Sequence, residues 1–289
     1  MPFPSSFTPT LPALLLLLLP TLTVSLLPLP TAPQLAWQKG EIMALIHFNM
    51  ATFFRDGDPG CDSDNWPGEE GSSNPNSFNP TALNVSQWVD AMEDIMATEA
   101  VITAKHGCGF YIWDTKVQLP RGGGQYPYHV NLTAHGDIFQ QLVSATSARG
   151  IGVGAYYSLT NNAYLNVYHH QAQGNASALP GMFPVNQTEF ETIAFESVKE
   201  LWTKYGNLTE IWFDGGYSGS MQAELTALLN TAQPNAVAFG GAGISANPVR
   251  WAGSEGGDAP GYPTIWSTGD SNGGSPPDDT TIWNPPGDE

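Results

Sequence analysis

The chain has 289 residues, of which 27 are acidic and only 9 are basic, so its formal charge is −18 at neutral pH. This charge argues against a nucleic-acid binder, which must neutralise phosphates, and against adsorption to an anionic membrane surface. Apolar residues make up 41% of the chain and charged residues only 12%. That composition predicts a folded protein with a sizeable core rather than a disordered one.

The N-terminal segment is strongly apolar over residues 11–27, where Pro12 and Pro20 interrupt it. The run is short for a membrane span and typical of the core of a secretory signal, although no Lys or Arg precedes it. We therefore predict a cleaved signal over residues 1–31 and one mature domain over residues 32–289. A membrane anchor or an organelle address is the alternative.

Glycosylation sequons support an extracellular location, or one in the lysosome or vacuole. Five are present, at Asn84, Asn131, Asn175, Asn186 and Asn207. The chain has two cysteines, Cys61 and Cys108. They could pair in an oxidising compartment, or Cys108 could be a buried thiol on a strand, and the sequence leaves both open.

Short apolar runs alternate with amphipathic stretches from residue 41 onward. The runs predict six strands, over residues 42–48, 100–106, 152–158, 209–215, 236–241 and 249–255. The stretches predict four helices, over residues 85–96, 136–148, 188–205 and 220–231. Repeated strand–helix units indicate an α/β fold with a parallel sheet, either a (β/α) barrel or an open doubly wound sheet.

Polar and aromatic residues stand at the carboxyl ends of the predicted strands, where barrel enzymes gather their catalytic groups, and this favours the barrel. They are His47, Lys105, His106, Tyr156, Tyr157, Asp214 and Glu255. No glycine-rich dinucleotide or phosphate loop follows the first strand, which argues against a nucleotide cofactor.

Two of these residues, Asp214 and Glu255, are carboxylates that end separate strands. A helix cap or ion pair would explain Asp214, and a solvated loop would explain Glu255. Facing each other across a pocket, they would form the acid and carboxylate pair that glycoside hydrolysis requires.

Flat aromatic side chains that could stack on a sugar ring accompany the carboxylates, and each of them could instead be core. They are Trp66, Trp113, Tyr157, Trp212 and Trp251. His47 and His106 could donate to sugar hydroxyls or be structural. Zinc is a weaker explanation, because no compact ligand spacing is present and the adjacent His169 and His170 are poorly placed to share one ion.

Seven sequence blocks, in this order, resemble the α-L-fucosidases of glycoside hydrolase family 29, closest to the plant and bacterial branch that acts on 1,3/1,4 linkages. The blocks are MALIHFNMATF (43–53), FNPTALNVSQWV (78–89), AKHGCGFYIW (104–113), GVGAYYSL (152–159), EIWFDGG (210–216), RWAGSEGG (250–257) and TIWNPPGDE (281–289). The resemblance covers the chain from about residue 38 onward.

The resemblance implies a secreted retaining α-L-fucosidase with Asp214 as nucleophile and Glu255 as acid/base, acting on fucosylated oligosaccharides or glycoconjugates. It implies neither a metal nor another cofactor. The residues it assigns to the substrate pocket are His47, His106, Tyr157, Trp212, Trp66, Trp113 and Arg250.

This sequence departs from the family pattern in two respects. Gly107 and Cys108 follow His106 where the family has a second histidine and an aspartate. We count about six β/α units instead of eight and no C-terminal β-sandwich, and we therefore expect an incomplete (β/α)8 barrel. The alternatives are a catalytically impaired homologue that binds sugar, or a barrel glycosidase for a different sugar.

Overall fold

The computed structural model describes residues 29–53, 61, 74–122, 124–130, 133–241 and 243–249. In chain order the helices and strands are α1 (Ala32–Gly40), β1 (Met43–Ile46), α2 (Val85–Asp94), β2 (Glu99–Lys105), α3 (Ile138–Ser147), β3 (Gly152–Tyr157), β4 (Val167–Tyr168), β5 (Gln171–Ala172), α4 (Gln187–Lys204), β6 (Glu210–Trp212), α5 (Gln222–Ala232), β7 (Val237–Phe239) and β8 (Pro248–Val249). Five of the six predicted strands and all four predicted helices are confirmed. The sixth predicted strand, over residues 249–255, overlaps β8 only at Val249, and its other residues lie outside the described part of the chain. The structure adds α1 and the short β4–β5 hairpin.

Six of the strands form one parallel sheet in the order β1-β2-β3-β6-β7-β8. Val101 pairs with Gly154, Ala155 with Ile211, and Ile211 with Ala238, so the four central strands β2, β3, β6 and β7 are paired side by side. The predicted α/β fold with a parallel sheet is confirmed. Because all six strands run the same way, their carboxyl ends lie along one edge of the sheet.

Helices α1 to α4 begin where polar side chains cap free backbone N–H groups. Asn186 accepts from the backbone N–H of Glu189, whose carboxylate accepts from the Asn186 backbone in return, so a capping box starts α4. The side chains of Asn84 and Asp137 each accept one backbone N–H at the start of α2 and α3. Each such cap stabilises its helix by roughly 1 kcal/mol.

The sheet has two different faces, because successive side chains of a strand point to opposite sides. One face packs against α2–α5 in the main core, to which β2 contributes Ile102 and Ala104. The other face carries a smaller cluster, made of Val101, Tyr156, Trp212, Val237, Phe239 and Val249. Each fully buried large apolar side chain in these clusters stabilises the fold by about 1.5–3 kcal/mol.

Helix α1 lies at the amino ends of the strands, a region we call the base. Its Trp37 indole N–H donates to the carboxylate of Glu210 at 2.8 Å, and Gln34 donates to the carbonyl of Pro248 at 2.7 Å. Thr31, which caps α1, donates to Asn247 at 2.7 Å. The boundary between residues 31 and 32 stays a prediction, and Thr31 itself contacts the folded domain.

No helix within the described residues is both long and apolar enough to span a bilayer.

Candidate active site

Side chains from four neighbouring strands meet at the carboxyl edge of the sheet, which we call the rim. His47 directly follows β1 and His106 directly follows β2, and their ring centroids lie 4.6 Å apart. The His106 ring stacks on Tyr156 of β3 at 5.7 Å, and Tyr156 lies 5.9 Å from Trp212 of β6. Asp214 joins this row through a hydrogen bond from Tyr156. The row therefore contains four predicted site residues, namely His47, His106, Trp212 and Asp214.

Asp214 is exposed, and its carboxylate is held by one short hydrogen bond. The Tyr156 hydroxyl donates to Asp214 Oδ2 at 2.5 Å. The backbone of Asp214 is fixed as well, because the Thr160 hydroxyl donates to its carbonyl at 2.7 Å. Gly215 follows with φ of 74°, and a Cβ at this position would clash with the Thr160 hydroxyl. The local sequence therefore presents a carboxylate on a tightly packed turn.

His106 is largely buried, and burial lowers its pKa to about 3, with the neighbouring charges of His47 and Lys105 acting in the same direction. The imidazole is therefore neutral at physiological pH, with one nitrogen that donates and one that accepts. Its Nδ1 is buried without a hydrogen-bond partner among the described residues. A buried polar atom of this kind is a place where a ligand hydroxyl can bind.

Two predicted pocket residues, Tyr157 and Trp113, lie away from this row. Both are buried in the main core on the helical face of the sheet. The Tyr157 hydroxyl lies 3.3 Å from that of Tyr111, and the Trp113 indole N–H donates to Glu200 of α4 at 2.8 Å. Adjacent residues of a strand point to opposite faces, so Tyr156 and not Tyr157 stands beside Asp214.

Trp66, Arg250, Trp251 and Glu255 lie outside the described residues, and their assignments stay predictions. The same holds for the separation between the two predicted catalytic carboxyl groups.

Lys105 is a rim residue whose role the sequence did not reveal. It is fully buried at the end of β2, and its ammonium donates to the carbonyls of Ser158 and Asn161 and lies 5.2 Å from the Tyr157 ring centroid. Burial lowers the pKa of this amine well below its usual value. Lys105 fixes the loop after β3 that also carries Thr160.

Cys61 and Cys108 form a disulfide, which settles the alternative that the sequence left open. Both cysteines are buried, and the bond ties residue 61 to the turn that follows His106. Gly107 lies against this bridge, because a Cβ there would stand 3.4 Å from the Cys61 carbonyl oxygen. At position 107, where the family has a second histidine, this chain therefore has a glycine without a side chain, packed beside the disulfide.

No cluster of three or more His, Cys, Asp or Glu side chains suited to a metal occurs in the part of the chain that the structure describes.

Comparison with known proteins identifies relatives of this chain. The family model of α-L-fucosidase matches residues 66–241. Alpha-L-fucosidase 1 of Arabidopsis thaliana is 33% identical over 253 residues, which are 84% of this chain and 42% of that protein. The chain therefore spans less than half the length of this relative.

Solved structures share the fold. A crystal structure of an α-L-fucosidase homologue from Bacteroides thetaiotaomicron superimposes with a TM-score of 0.63 at 29% identity, over 79% of this chain and 50% of that one. A glycoside hydrolase 29 family member from a rumen bacterium gives a TM-score of 0.57 at 24% identity, over 80% of this chain and 39% of that one, and shows the fold alone. The chain belongs to the α-L-fucosidases of glycoside hydrolase family 29.

Proposed function

We propose that this chain belongs to a secreted, retaining α-L-fucosidase that acts on terminal fucose of oligosaccharides or glycoconjugates, with Asp214 as the nucleophile and Glu255 as the acid/base. The observation that carries the proposal is the exposed Asp214 carboxylate, which Tyr156 holds in the row formed by His47, His106 and Trp212. We further propose that the sheet belongs to a (β/α)8 barrel with the rim at its open, catalytic end.

In the first step, a carboxylate oxygen of Asp214 attacks the anomeric carbon as the bond to the leaving oxygen breaks. A covalent fucosyl ester forms, and Glu255 gives its proton to the leaving oxygen. In the second step, Glu255 takes a proton from water, the water oxygen attacks the same carbon, and the ester bond breaks. Free fucose leaves with its original anomeric configuration, and both carboxyl groups return to their starting states.

Tyr156 supports the first step through its bond to Oδ2, because that bond fixes the rotation of the carboxylate and leaves Oδ1 for the attack. The neutral His106 and its neighbour His47 offer donors and acceptors for the sugar hydroxyls. Trp212 offers a flat apolar surface at the carboxyl end of β6. No step requires a metal.

The proposed secretion is supported by two features of the described residues. The asparagines of four sequons are exposed, namely Asn84, Asn175, Asn186 and Asn207. The Cys61–Cys108 disulfide is of a kind that persists in oxidising compartments such as the cell exterior, the lysosome or the vacuole.

Hydrolysis of an aryl α-L-fucoside by the protein purified from its natural gene tests the proposal. We expect turnover with an acidic pH optimum, because Glu255 must start protonated, and a loss of at least about 1,000-fold in Asp214→Ala. Asp90→Ala provides the matched control, because Asp90 is an exposed carboxylate on α2 and is distant from Asp214 in the chain.

The other outcomes are equally informative. Fucose binding without turnover in the wild type would favour the sugar-binding homologue that the Gly107 replacement suggests. Turnover of another glycoside but not of the fucoside would favour a glycosidase for a different sugar. A rate that still rises above pH 8 would contradict the general-acid role of Glu255.

A further inference from the structure

The β4–β5 hairpin turns at His169 and His170, and both residues have positive φ, of 48° and 64°. Two consecutive left-handed residues are typical of a tight hairpin turn, where Asn and Gly are the usual choices. Histidine adopts positive φ more often than most residues other than glycine, although the conformation still costs energy. The contacts of the two imidazoles therefore decide whether either side chain has a role.

The contacts of His170 show what the side chain does. Its Nε2 lies 3.0 Å from the carbonyl oxygen of Gly215, and since a carbonyl can only accept, Nε2 must carry the proton. Gly215 directly follows Asp214. His170 therefore holds the peptide next to the proposed nucleophile, in addition to the bond from the Thr160 hydroxyl to the Asp214 carbonyl.

The hairpin is itself anchored to the same rim. The His170 backbone N–H donates to the Thr160 carbonyl at 2.8 Å, and the His169 N–H donates to the Asn161 side chain at 3.0 Å. Gln187, the first residue of α4, donates to the His170 carbonyl at 3.0 Å. The imidazole thus reaches Gly215 from a backbone that three hydrogen bonds fix.

We infer that His170 is a positioning residue, which holds the Asp214–Gly215 turn so that the carboxylate stands at the attacking distance from the sugar. The inference rests on the proposed function. His169 is exposed, shares the turn and the positive φ, and makes no side-chain hydrogen bond among the described residues, so it provides a matched control.

The test exploits the geometry of amide side chains. A glutamine amide can place a donor where histidine has Nε2, whereas an asparagine amide reaches only as far as Nδ1. Asparagine tolerates positive φ better than glutamine, so His170→Asn should fold at least as well as His170→Gln while it loses the bond to Gly215.

We expect His170→Asn and His170→Gly to lower kcat on the aryl fucoside by about 10–100-fold with KM within about threefold of wild type, because a misplaced reacting group costs rate more than affinity. His170→Gln should recover most of the lost rate, and His169→Gly should stay within about twofold of wild type. Added imidazole should partly restore His170→Gly but not Asp214→Ala.

A second measurement does not need turnover. A cationic iminosugar of the fuco configuration pairs its ammonium with the Asp214 carboxylate, and calorimetry should show about tenfold weaker binding to His170→Asn, with fucose binding unchanged. Wild-type kcat and iminosugar affinity in His170→Asn would overturn the inference, as would an equal loss in His169→Gly. A wild type without turnover or sugar binding would instead refute the proposed function, and the inference with it.

Discussion

The rim and the base of the sheet both contain carboxyl groups, but these groups are exposed at the rim and buried at the base. At the rim, Asp214 is exposed and accepts from one tyrosine. At the base, Glu99 and Glu210 are buried beneath α1, and their only described donors are Thr209 and Trp37.

The consequence is a difference in ionisation. Burial raises the pKa of Glu99 to about 7, and burial together with the neighbouring Glu99 raises that of Glu210 well above its usual range. No cation contacts either group in the described part of the chain, so the pair keeps at least one proton at neutral pH. The rim thus exposes its carboxyl group to solvent, whereas the base buries a pair of carboxyl groups that together hold at least one proton.

Removing the disulfide at the rim should cause the largest loss of stability. The bond closes a loop with a sequence separation of 47 residues, so Cys61→Ala combined with Cys108→Ala should lower the free energy of unfolding by about 4 kcal/mol in the chain-entropy model. Urea unfolding of the double variant measures the loss, and wild type with a reductant provides the comparison. A loss below about 1 kcal/mol would show that the bridge does not constrain the unfolded chain.

The base should control how stability depends on pH. The unfolded chain releases the Glu99 proton near pH 4.5 and the folded chain only near pH 7, so stability should fall as pH rises across this window. Glu99→Gln keeps an acceptor for Thr209 and should remove the contribution of Glu99 to this slope, while that of Glu210 remains. The variant should therefore be more stable than wild type by about 2–3 kcal/mol at pH 7.5. Parallel stability–pH curves for wild type and Glu99→Gln would contradict this.

The control for that experiment is Glu224→Gln, since Glu224 is exposed on α5. Its stability should follow that of wild type at every pH to within about 0.5 kcal/mol.

The two tyrosines of β3 should separate the faces of the sheet. Tyr156→Phe removes the donor to Asp214, and a hydrogen bond to a charged group is worth about 1.5–3 kcal/mol, so kcat should fall by at least about tenfold. Tyr157→Phe removes the hydroxyl contacts with Tyr111 and Ser197 on the helical face, so kcat should stay within about twofold while stability falls by about 1 kcal/mol. The reverse pattern in fucoside kinetics would restore Tyr157 to the pocket.

Much of the fold followed from local patterns in the sequence. Apolar runs and helical spacing located five of the six strands and the four main helices, because these elements bury one or both faces. Helix α1 was missed although Thr31 and Gln34 form a capping box and Pro33 lies in its first turn, since these residues follow directly on the predicted signal. The β4–β5 hairpin was missed because histidines occupy its turn in place of Asn or Gly.

The sequence predicted which types of residue form the site, but it did not predict which residues of β3 face the site. Asp214 and Trp212 are two positions apart in the chain, and both lie beside Tyr156. The choice between Tyr156 and Tyr157 depends on which of them faces the same side as Val101, and this requires the pairing of β2 with β3. Contacts between loops distant in the chain, such as that of His170 with Gly215, leave no local signal at all.

The contacts by which α1 covers the base also determine when the base can fold during synthesis. The Thr31–Asn247 bond joins residues 216 positions apart. At the usual rates of translation, Asn247 is synthesised roughly 10–40 s after Thr31. Glu210 is made within that interval, and it is ionised while it is exposed to water, because an exposed glutamate has a pKa of about 4.5. The last event of closure is therefore the uptake of a proton as well as the docking of a helix, so the acidity of the compartment where the chain folds will influence how readily the base shuts.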